Sequence, residues 1–242
     1  MEPVLIDNGK QPSDPLHIDH RLVWLPPDTP YGNMNLKLIK IIMCADEANL
    51  RIIDAFYFWN ILKMNDINSG YNAYPRHIFA TEQAIYLMRR IADDLISMIW
   101  MLDQKRKTGS WPTRIKIDSI GRALQEHSIE ESGLLDRNRN NLQTMNDISN
   151  AFKHSFVHSD LNIAGELEPV VNALALTSNN LTNPAKLHSH TVAKIVSDFN
   201  NFYRDCMECL QKIGKEIKTQ DSSVNSPNSF PNASPKENEP MT

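Results

Sequence analysis

Apolar residues recur at steps of three and four through most of the chain, which is the spacing of one face of an α-helix. The pattern is strongest over residues 34–64, where polar residues repeat with the same period on another face. It returns over residues 80–107, so two long helices are predicted. Between them, residues 65–75 contain Gly70, Pro75 and three asparagines, and we expect a loop there. The inward face of the first helix is predicted to contain Leu38, Ile41, Ile42, Ala45, Ile52, Phe56, Trp59 and Leu62.

The second helix carries further local signals. Thr81 is its expected N-cap, with Glu82 in the first turn, and Gly109 is the expected stop. Arg89 and Asp93 are four residues apart, the spacing of an ion pair on the solvent-exposed face of a helix. The second helix is therefore predicted to begin after Thr81, to end before Gly109 and to have one solvent-exposed face.

The second half of the chain predicts three more helices and a small sheet. A short helix is expected over residues 118–127. Ser128 and Glu131 form a capping box that opens a longer helix, which continues to about His158. The apolar run 170–176, followed by polar turn residues, predicts a β-hairpin inserted between helices.

The fold class follows from these elements. The chain is predicted to be mainly α, a bundle of four to five helices with a small inserted β-hairpin. Asn183 and Pro184 have the order of an N-cap and a first helical residue, so the last helix should begin there. Residues 1–33 contain six prolines and should form an extended segment that packs on the bundle, which spans residues 34–218. Residues 219–242 are poor in apolar side chains and are expected to be a disordered C-terminal tail.

The amino-acid composition indicates where the protein is located more clearly than which activity it has. The formal net charge of −4 argues against a general phosphate-binding surface. The densest basic cluster, residues 105–107, is interpreted as a helix C-terminus, where cations are favourable. The three cysteines are too few for a disulfide framework, and no apolar run reaches the roughly 18 residues of a membrane span. The N-terminus also lacks the apolar region of a signal peptide. We therefore expect a cytoplasmic protein without membrane contact.

One polar row on the predicted fourth helix is the first candidate for a functional site. Asp147, Asn150, His154 and His158 follow at steps of three, four and four, so they share one helix face, and Lys153 flanks them. Histidines beside a carboxylate suit acid–base chemistry or ligand binding. The alternative is a solvated face whose polar groups contact neighbouring helices.

A metal site is a second interpretation of the same row. His154 and His158 are four residues apart and converge on one side of a helix, as zinc ligands do. Zinc needs a third and usually a fourth ligand, which His188 or His190 supplies only if the last helix lies alongside. The sequence contains no phosphate-binding loop and no dinucleotide-binding glycine motif, so no cofactor is predicted.

Cys206 and Cys209 form a C-x-x-C sequence inside the predicted last helix. Redox motifs of this type lie at the start of a helix after a strand. Cys206 instead continues the apolar stripe of its helix, so core packing is expected.

Arg122 and His127 are the third candidate site. Their spacing resembles the R-x4–6-H motif of the HEPN superfamily, a group of helical bundles that includes RNA-cleaving enzymes. The resemblance implies that Arg122 stabilises a phosphate and that His127 transfers a proton. It also implies RNA as a partner.

The order of the elements is similar to that of bacterial HEPN-like proteins over about residues 34–217. Long helices lead to an N-x-x-K-H sequence at Asn150, Lys153 and His154, and a short extended segment and a final helix follow. The sequence thus predicts a helical binding or interaction protein, placed by this resemblance in a bacterial defence or stress system. An RNA-cleaving enzyme of the HEPN kind is the alternative. A metal-dependent enzyme using the two histidines of the polar row is the second alternative.

The apolar faces of the first two helices are wider than one packing seam requires. We expect the surplus to be buried against a second copy of the chain, and therefore predict a homodimer. The extra apolar positions are Ile39, Met43, Ile53 and Phe58 on the first helix, and Trp100 and Met101 on the second.

Overall fold

The computed structural model describes residues 2–8, 23–64, 67–126, 133–154, 167–175, 182 and 184–224. Over these ranges the chain forms five helices and one antiparallel pair of strands, which confirms the predicted mainly α bundle with a small β-hairpin. In chain order they are α1 (Met34–Lys63), α2 (Ile67–Thr108), α3 (Ile120–Glu126), α4 (Leu134–His154), β1 (Val170–Ala175), β2 (Lys186–Thr191) and α5 (Val192–Val224).

Helix α1 begins where its sequence supplies a cap. The side chain of Asn33 accepts hydrogen bonds from the backbone N–H groups of Asn35 and Leu36, two of the donors that a helix start leaves without partners. The preceding Gly32 has a φ of 91°, a left-handed conformation that glycine adopts without steric cost. All the residues predicted for the inward face are buried except Leu62, which is half-buried.

The prediction of a loop at residues 65–75 is wrong for most of that range. Helix α2 begins at Ile67 and continues through Pro75, although proline removes one hydrogen bond from a helix interior. Packing against α1 compensates for it. The ring of His77 is buried 5.2 Å from the ring of Trp59, and its Nδ1 lies 2.9 Å from the carbonyl oxygen of Ala55. Tertiary contacts thus outweigh the local breaker signals.

The two predicted ends of the second helix have opposite outcomes. Thr81 is not a cap, because it lies inside α2 and its hydroxyl donates to the carbonyl of His77 one turn earlier. Gly109 does end the helix, since its φ is 74° and its N–H donates to the carbonyl of Lys105. The end of α2 was predictable because the left-handed conformation of Gly109 is a local property of the chain. The beginning of α2 was not predictable, because it depends on contacts with α1.

Helix α2 is the centre of the bundle, and every residue from Leu95 to Asp103 is buried. Helix α1 runs antiparallel to it, and Lys37 Nζ lies 2.9 Å from Asp94 Oδ1 near the beginning of α1. Arg106 on α2 contacts Glu216 on α5 at 2.9 Å. Helices α4 and α5 pack on each other and on α2, which completes a four-helix core with α3 at one side.

Three predicted boundaries either fall on residues that the structure does not describe or lie at a different position in the structure. Ser128 and Glu131, the predicted capping box, and His158 lie outside the described residues, and α4 follows Gly133 at a φ of 65°. Helix α5 continues to Val224, so the first six residues of the predicted tail are helical. The remainder of the tail lies outside the described residues.

Helix α5 does not begin at Pro184, because residues 186–191 form strand β2. They pair antiparallel with β1, with Val171 opposite His190. The helix starts after Thr191, whose hydroxyl accepts the backbone N–H of Lys194 at 3.1 Å, as an N-cap does. Pairing with β1 gives the backbone N–H and C=O groups of residues 186–191 their hydrogen-bond partners. In the predicted helix, these groups would have been paired within the helix itself.

Residues 2–8 and 23–33 contain no helix or strand and lie against the bundle, with Ile6, Val23 and Leu25 buried. The first of these two ranges bridges α1 and α5 through hydrogen bonds to one asparagine on each helix. None of the described helices has both the length and the apolar character of a membrane span.

Candidate functional site

The polar row of α4 is divided between two neighbouring elements. Asp147 faces strand β2, where its Oδ2 lies 3.4 Å from Nε2 of His188 and 3.8 Å from Nζ of Lys186. Gln143, one turn earlier, donates to the other carboxylate oxygen at 2.6 Å. Asn150 faces α2 instead. The row therefore does not form one continuous polar face.

His188 is almost fully buried, with 2% of its surface exposed. Burial lowers the pKa of His188, and the charge of Lys186 lowers it further, while Asp147 acts in the opposite direction. An imidazole so enclosed has no route to an external substrate. Its contact with Asp147 instead holds the hairpin on α4, which also fixes the neighbouring ring of His190, 5.9 Å away between ring centres.

Asn150 belongs to a cluster between α2, α3 and α4. Its Oδ1 accepts from Arg89 at 2.7 Å, and Nε of Arg89 lies 3.5 Å from the carboxylate of Asp93. Asp93 also accepts the backbone N–H of Ile120 at the start of α3, at 2.7 Å. The prediction of a solvent-exposed Arg89–Asp93 pair is thus wrong, because both side chains connect helices. Burial raises the pKa of Asp93, although the bond from Ile120 and the charge of Arg89 oppose the shift.

The other members of the row are less enclosed. Lys153 is exposed, and its Nζ lies 5.7 Å from the centre of the Tyr86 ring, within the range of a cation–π contact. His154 is the last residue of α4, and His158 lies outside the described residues. The structure therefore gives no distance between the side chains of His154 and His158.

The described ranges contain no group of three or more His, Cys, Asp or Glu side chains arranged to hold a metal ion. His188 and His190, suggested as further ligands, lie on β2 and not on the last helix. His188 directs a ring nitrogen at Asp147. The metal-dependent enzyme remains a prediction, because it rests on the side chains of His154 and His158, which the structure does not describe.

Arg122 is exposed on α3, where its guanidinium lies 3.8 Å from the carboxylate of Glu126. The guanidinium is accessible because 60% of the Arg122 side chain is exposed. His127 lies outside the described residues. The catalytic pair implied by the HEPN resemblance therefore stays a prediction.

The cysteines and the basic cluster have structural roles. Cys206 and Cys209 are free thiols buried in the core, which confirms the packing prediction, and burial raises the pKa of Cys206. Residues 105–107 form the last turn of α2, as predicted. Arg106 and Lys107 contact the buried carboxylate of Asp103 at 2.6 and 2.9 Å.

A stripe of exposed apolar side chains runs along α1. Five large side chains, each between 52% and 75% exposed, recur at intervals of seven residues, and Ile53 lies beside them. We call these six residues the α1 stripe. A seven-residue period was the signal that would have identified it in the sequence. The five are Leu36, Met43, Leu50, Tyr57 and Met64.

The α1 stripe overlaps only part of the surface from which a homodimer was predicted. Met43 and Ile53 are exposed, while Ile39 and Phe58 are half-buried. Trp100 and Met101 are buried inside the bundle, so the predicted contribution of α2 is wrong. Trp100 and Met101 are therefore not available for a second copy, because α2 is covered on all sides over residues 95–103.

Comparison of the chain with protein-family models, with curated proteins and with solved structures gives no match.

Proposed function

We propose that the protein is a helical interaction module that forms a homodimer by pairing the α1 stripe of one copy with that of another. The observation that carries the proposal is the seven-residue spacing of the exposed side chains. From Leu36 to Met64 the stripe is roughly 42 Å long, at about 1.5 Å per helical residue. A cytoplasmic location is part of the proposal, because the three cysteines are free thiols.

The exposed area is large enough for a specific interface. Taking roughly 180 Å² for a fully exposed side chain of this size, the six residues expose roughly 600 Å² per copy, or roughly 1,200 Å² for a pair. A specific interface needs about 1,000 Å² in total. Five exposed large apolar side chains in one line on a single helix are more than scattered surface hydrophobic residues, and their common spacing indicates a partner.

A second copy fits the α1 stripe because the repeat is constant along it. Apolar residues at intervals of seven stay in line where two helices pack along each other. Leu50 is the midpoint, so complete overlap of two stripes places Leu50 against its counterpart. Arg51 lies 2.9 Å from Glu47 and 3.0 Å from Asp54, which neutralises much of the acidic charge beside the stripe within each copy.

Sedimentation velocity of the full chain and of Leu50→Glu tests the proposal. We expect a dimer for the unmodified chain at micromolar concentration and at least about a hundredfold weaker association for the variant, since it places two carboxylates together at the centre of the interface. Leu187→Glu is the matched control, because Leu187 is 60% exposed on β2, outside the α1 stripe. It should leave the dimer intact. A monomeric unmodified chain would disprove the proposal.

Cross-linking tests the position of the contact. In a Cys44→Ala background, Leu50→Cys should form an intermolecular disulfide on mild oxidation, because the two introduced thiols meet at the midpoint. Leu187→Cys in the same background should not. Equal cross-linking of both variants would mean that the α1 stripe is not the interface.

A further inference from the structure

Residues 2–8, which we call the 2–8 segment, lie beside the middle of the α1 stripe. Asn8 donates to the carboxylate of Asp46 at 2.7 Å, and Asn49 accepts the backbone N–H of Ile6 at 2.7 Å. Asp46 and Asn49 precede the midpoint of the stripe by four residues and one residue. The segment therefore follows α1 along one flank of the stripe, within about one helical turn of its midpoint.

The 2–8 segment adds exposed apolar side chains to this surface. The segment runs antiparallel to α1, because its residue 6 meets Asn49 and its residue 8 meets the earlier Asp46. Its residues 4 and 5 therefore extend toward Ile53 of the stripe. They are Val4 and Leu5, which are 40% and 38% exposed. Apolar surface thus continues from α1 onto the segment.

The opposite flank of the stripe is charged. Arg51 contacts Glu47 at 2.9 Å and Asp54 at 3.0 Å there, and the three side chains are between 31% and 49% exposed. These residues lie one after, three before and four after the midpoint, on the side of the helix away from the residues that hold the segment. Burial of apolar area is favourable, whereas buried charges lose their hydration. A helix that packs along the stripe therefore lies on the side of the 2–8 segment.

We infer that the 2–8 segment is one wall of the dimer interface and that α1 of a second copy lies in the groove between this segment and α1. The inference rests on the proposed dimer. Val4 and Leu5 lie near the centre of the interface in whichever direction the second helix runs, because Leu50 is its midpoint. They add roughly 130 Å² of exposed side-chain area per copy to the roughly 600 Å² of the stripe.

Docking of the segment and dimer formation then stabilise each other. A second copy that contacts Val4 and Leu5 binds the docked segment and not the released one, so it raises the population of the docked state. This coupling is reciprocal, so release of the segment weakens the dimer. The segment thus controls association through its own conformation.

Asn200 on α5 allows docking to be weakened without a change in α1. Its side chain accepts the N–H of Asp7 and donates to the carbonyl of Leu5, both at 2.9 Å. Asn200→Ala removes both hydrogen bonds, and sedimentation velocity should show a dimer dissociation constant that is higher by about five- to tenfold. Asn201→Ala changes the next, exposed residue and is the matched control, which should associate like the unmodified chain.

Hydrogen exchange measures the coupling in the other direction. In the unmodified chain, amides of residues 5–7 should exchange at least about tenfold more slowly well above the dimer dissociation constant than well below it. Leu50→Glu, which is expected to be monomeric, should show no such dependence on concentration. Exchange in α3 should not depend on concentration in either protein. Equal exchange of residues 5–7 at both concentrations of a dimerising chain would overturn the inference.

Leu5→Glu tests the direct contact. It places a carboxylate near the centre of the interface and should weaken association by at least about tenfold. If this variant lacks a cooperative thermal transition, Val4→Glu replaces it. Unchanged association of a folded variant would show that the segment is not part of the interface, while the loss of dimer in Leu50→Glu would still support the proposed function. A monomeric unmodified chain would contradict both.

Discussion

Gly214 determines how closely the N-terminal segment approaches α5. A methyl group at this position would lie 2.2 Å from the carbonyl oxygen of Trp24, and the neighbouring Leu25 is fully buried. One turn later, the ammonium of Lys218 lies 5.7 Å from the centre of the Trp24 ring. The obstacle is backbone, which cannot rotate away as a side chain does, so glycine is required here.

Gly214→Ala should reduce the free energy of unfolding by about 1–3 kcal/mol, the usual cost of overpacking. Urea denaturation measures the change. Gly121→Ala in α3 is the control, since its methyl group would meet only Asn146 Oδ1 at 3.8 Å, an ordinary contact. It should gain about 0.5–1 kcal/mol from the better helix propensity of alanine. Equal stability of both variants would contradict the proposed role of Gly214.

Single residues were predictable from sequence where their role is local. Gly109 was identified as a helix stop because its left-handed conformation depends only on its neighbours in the chain. The spacing of Arg89 and Asp93 correctly predicted an ion pair but not its surroundings. Their burial depends on Asn150, which is 61 residues from Arg89 in sequence. No local pattern contains that information.

At the scale of the elements, residues 5–7 are held against the bundle by asparagine side chains from two helices. Asn49 on α1 accepts the N–H of Ile6 at 2.7 Å and donates to its carbonyl at 3.0 Å. Asn200 on α5 accepts the N–H of Asp7 and donates to the carbonyl of Leu5, both at 2.9 Å. Each amide thus replaces the peptide group of a neighbouring strand.

Asn49→Ala should release this segment. We expect a loss of about 1–2 kcal/mol in unfolding free energy and amide exchange at residues 5–7 that is faster by at least about tenfold. Hydrogen exchange followed by mass spectrometry measures the second effect. Asn201→Ala, on the exposed surface of α5, should leave exchange in the segment unchanged. Slow exchange in Asn49→Ala would show that Ile6 burial alone holds the segment.

Helices with a regular apolar stripe were predicted well, whereas irregular elements were not. The inward face of α1 follows the helical repeat, so its residues were identified from spacing alone. Strand β2 was missed because Pro184 suggested a helix start and because its partner, β1, precedes it across a connection. Short strands gain most of their stability from pairing, which sequence periodicity does not reveal.

For the molecule as a whole, two buried histidines connect stability to pH. Burial lowers the pKa of His77, although its hydrogen bond to Ala55 opposes the shift, and burial also lowers the pKa of His188. Below about pH 6.5 the unfolded chain therefore takes up protons that the folded chain does not. Stability falls as the pH drops through this range. Asp93 acts in the opposite direction, because its raised pKa favours protonation in the folded chain.

His77→Asn should flatten this dependence. The asparagine amide can replace Nδ1 as donor to Ala55, and it does not titrate. Between about pH 7 and pH 5.5 the unmodified chain should lose up to about 1.4 kcal/mol per pH unit for each such histidine, and the variant should lose less. Urea denaturation at several pH values gives both slopes. Identical slopes would exclude His77 as a source of acid sensitivity.

The sequence by itself determined the periodic part of this protein. The helical repeat places apolar residues on one face wherever a helix forms, so the mainly α fold, the buried face of α1 and the packing of Cys206 followed from spacing. The polar row of α4 was also visible, but its division between strand β2 and helix α2 was not.

Only the tertiary structure decided which groups meet. It continued α2 through Pro75 because burial of His77 against Trp59 outweighs local propensity. It covered Trp100 and Met101 and left the α1 stripe exposed. These outcomes depend on contacts between residues far apart in the chain, whose energies no short stretch of sequence contains.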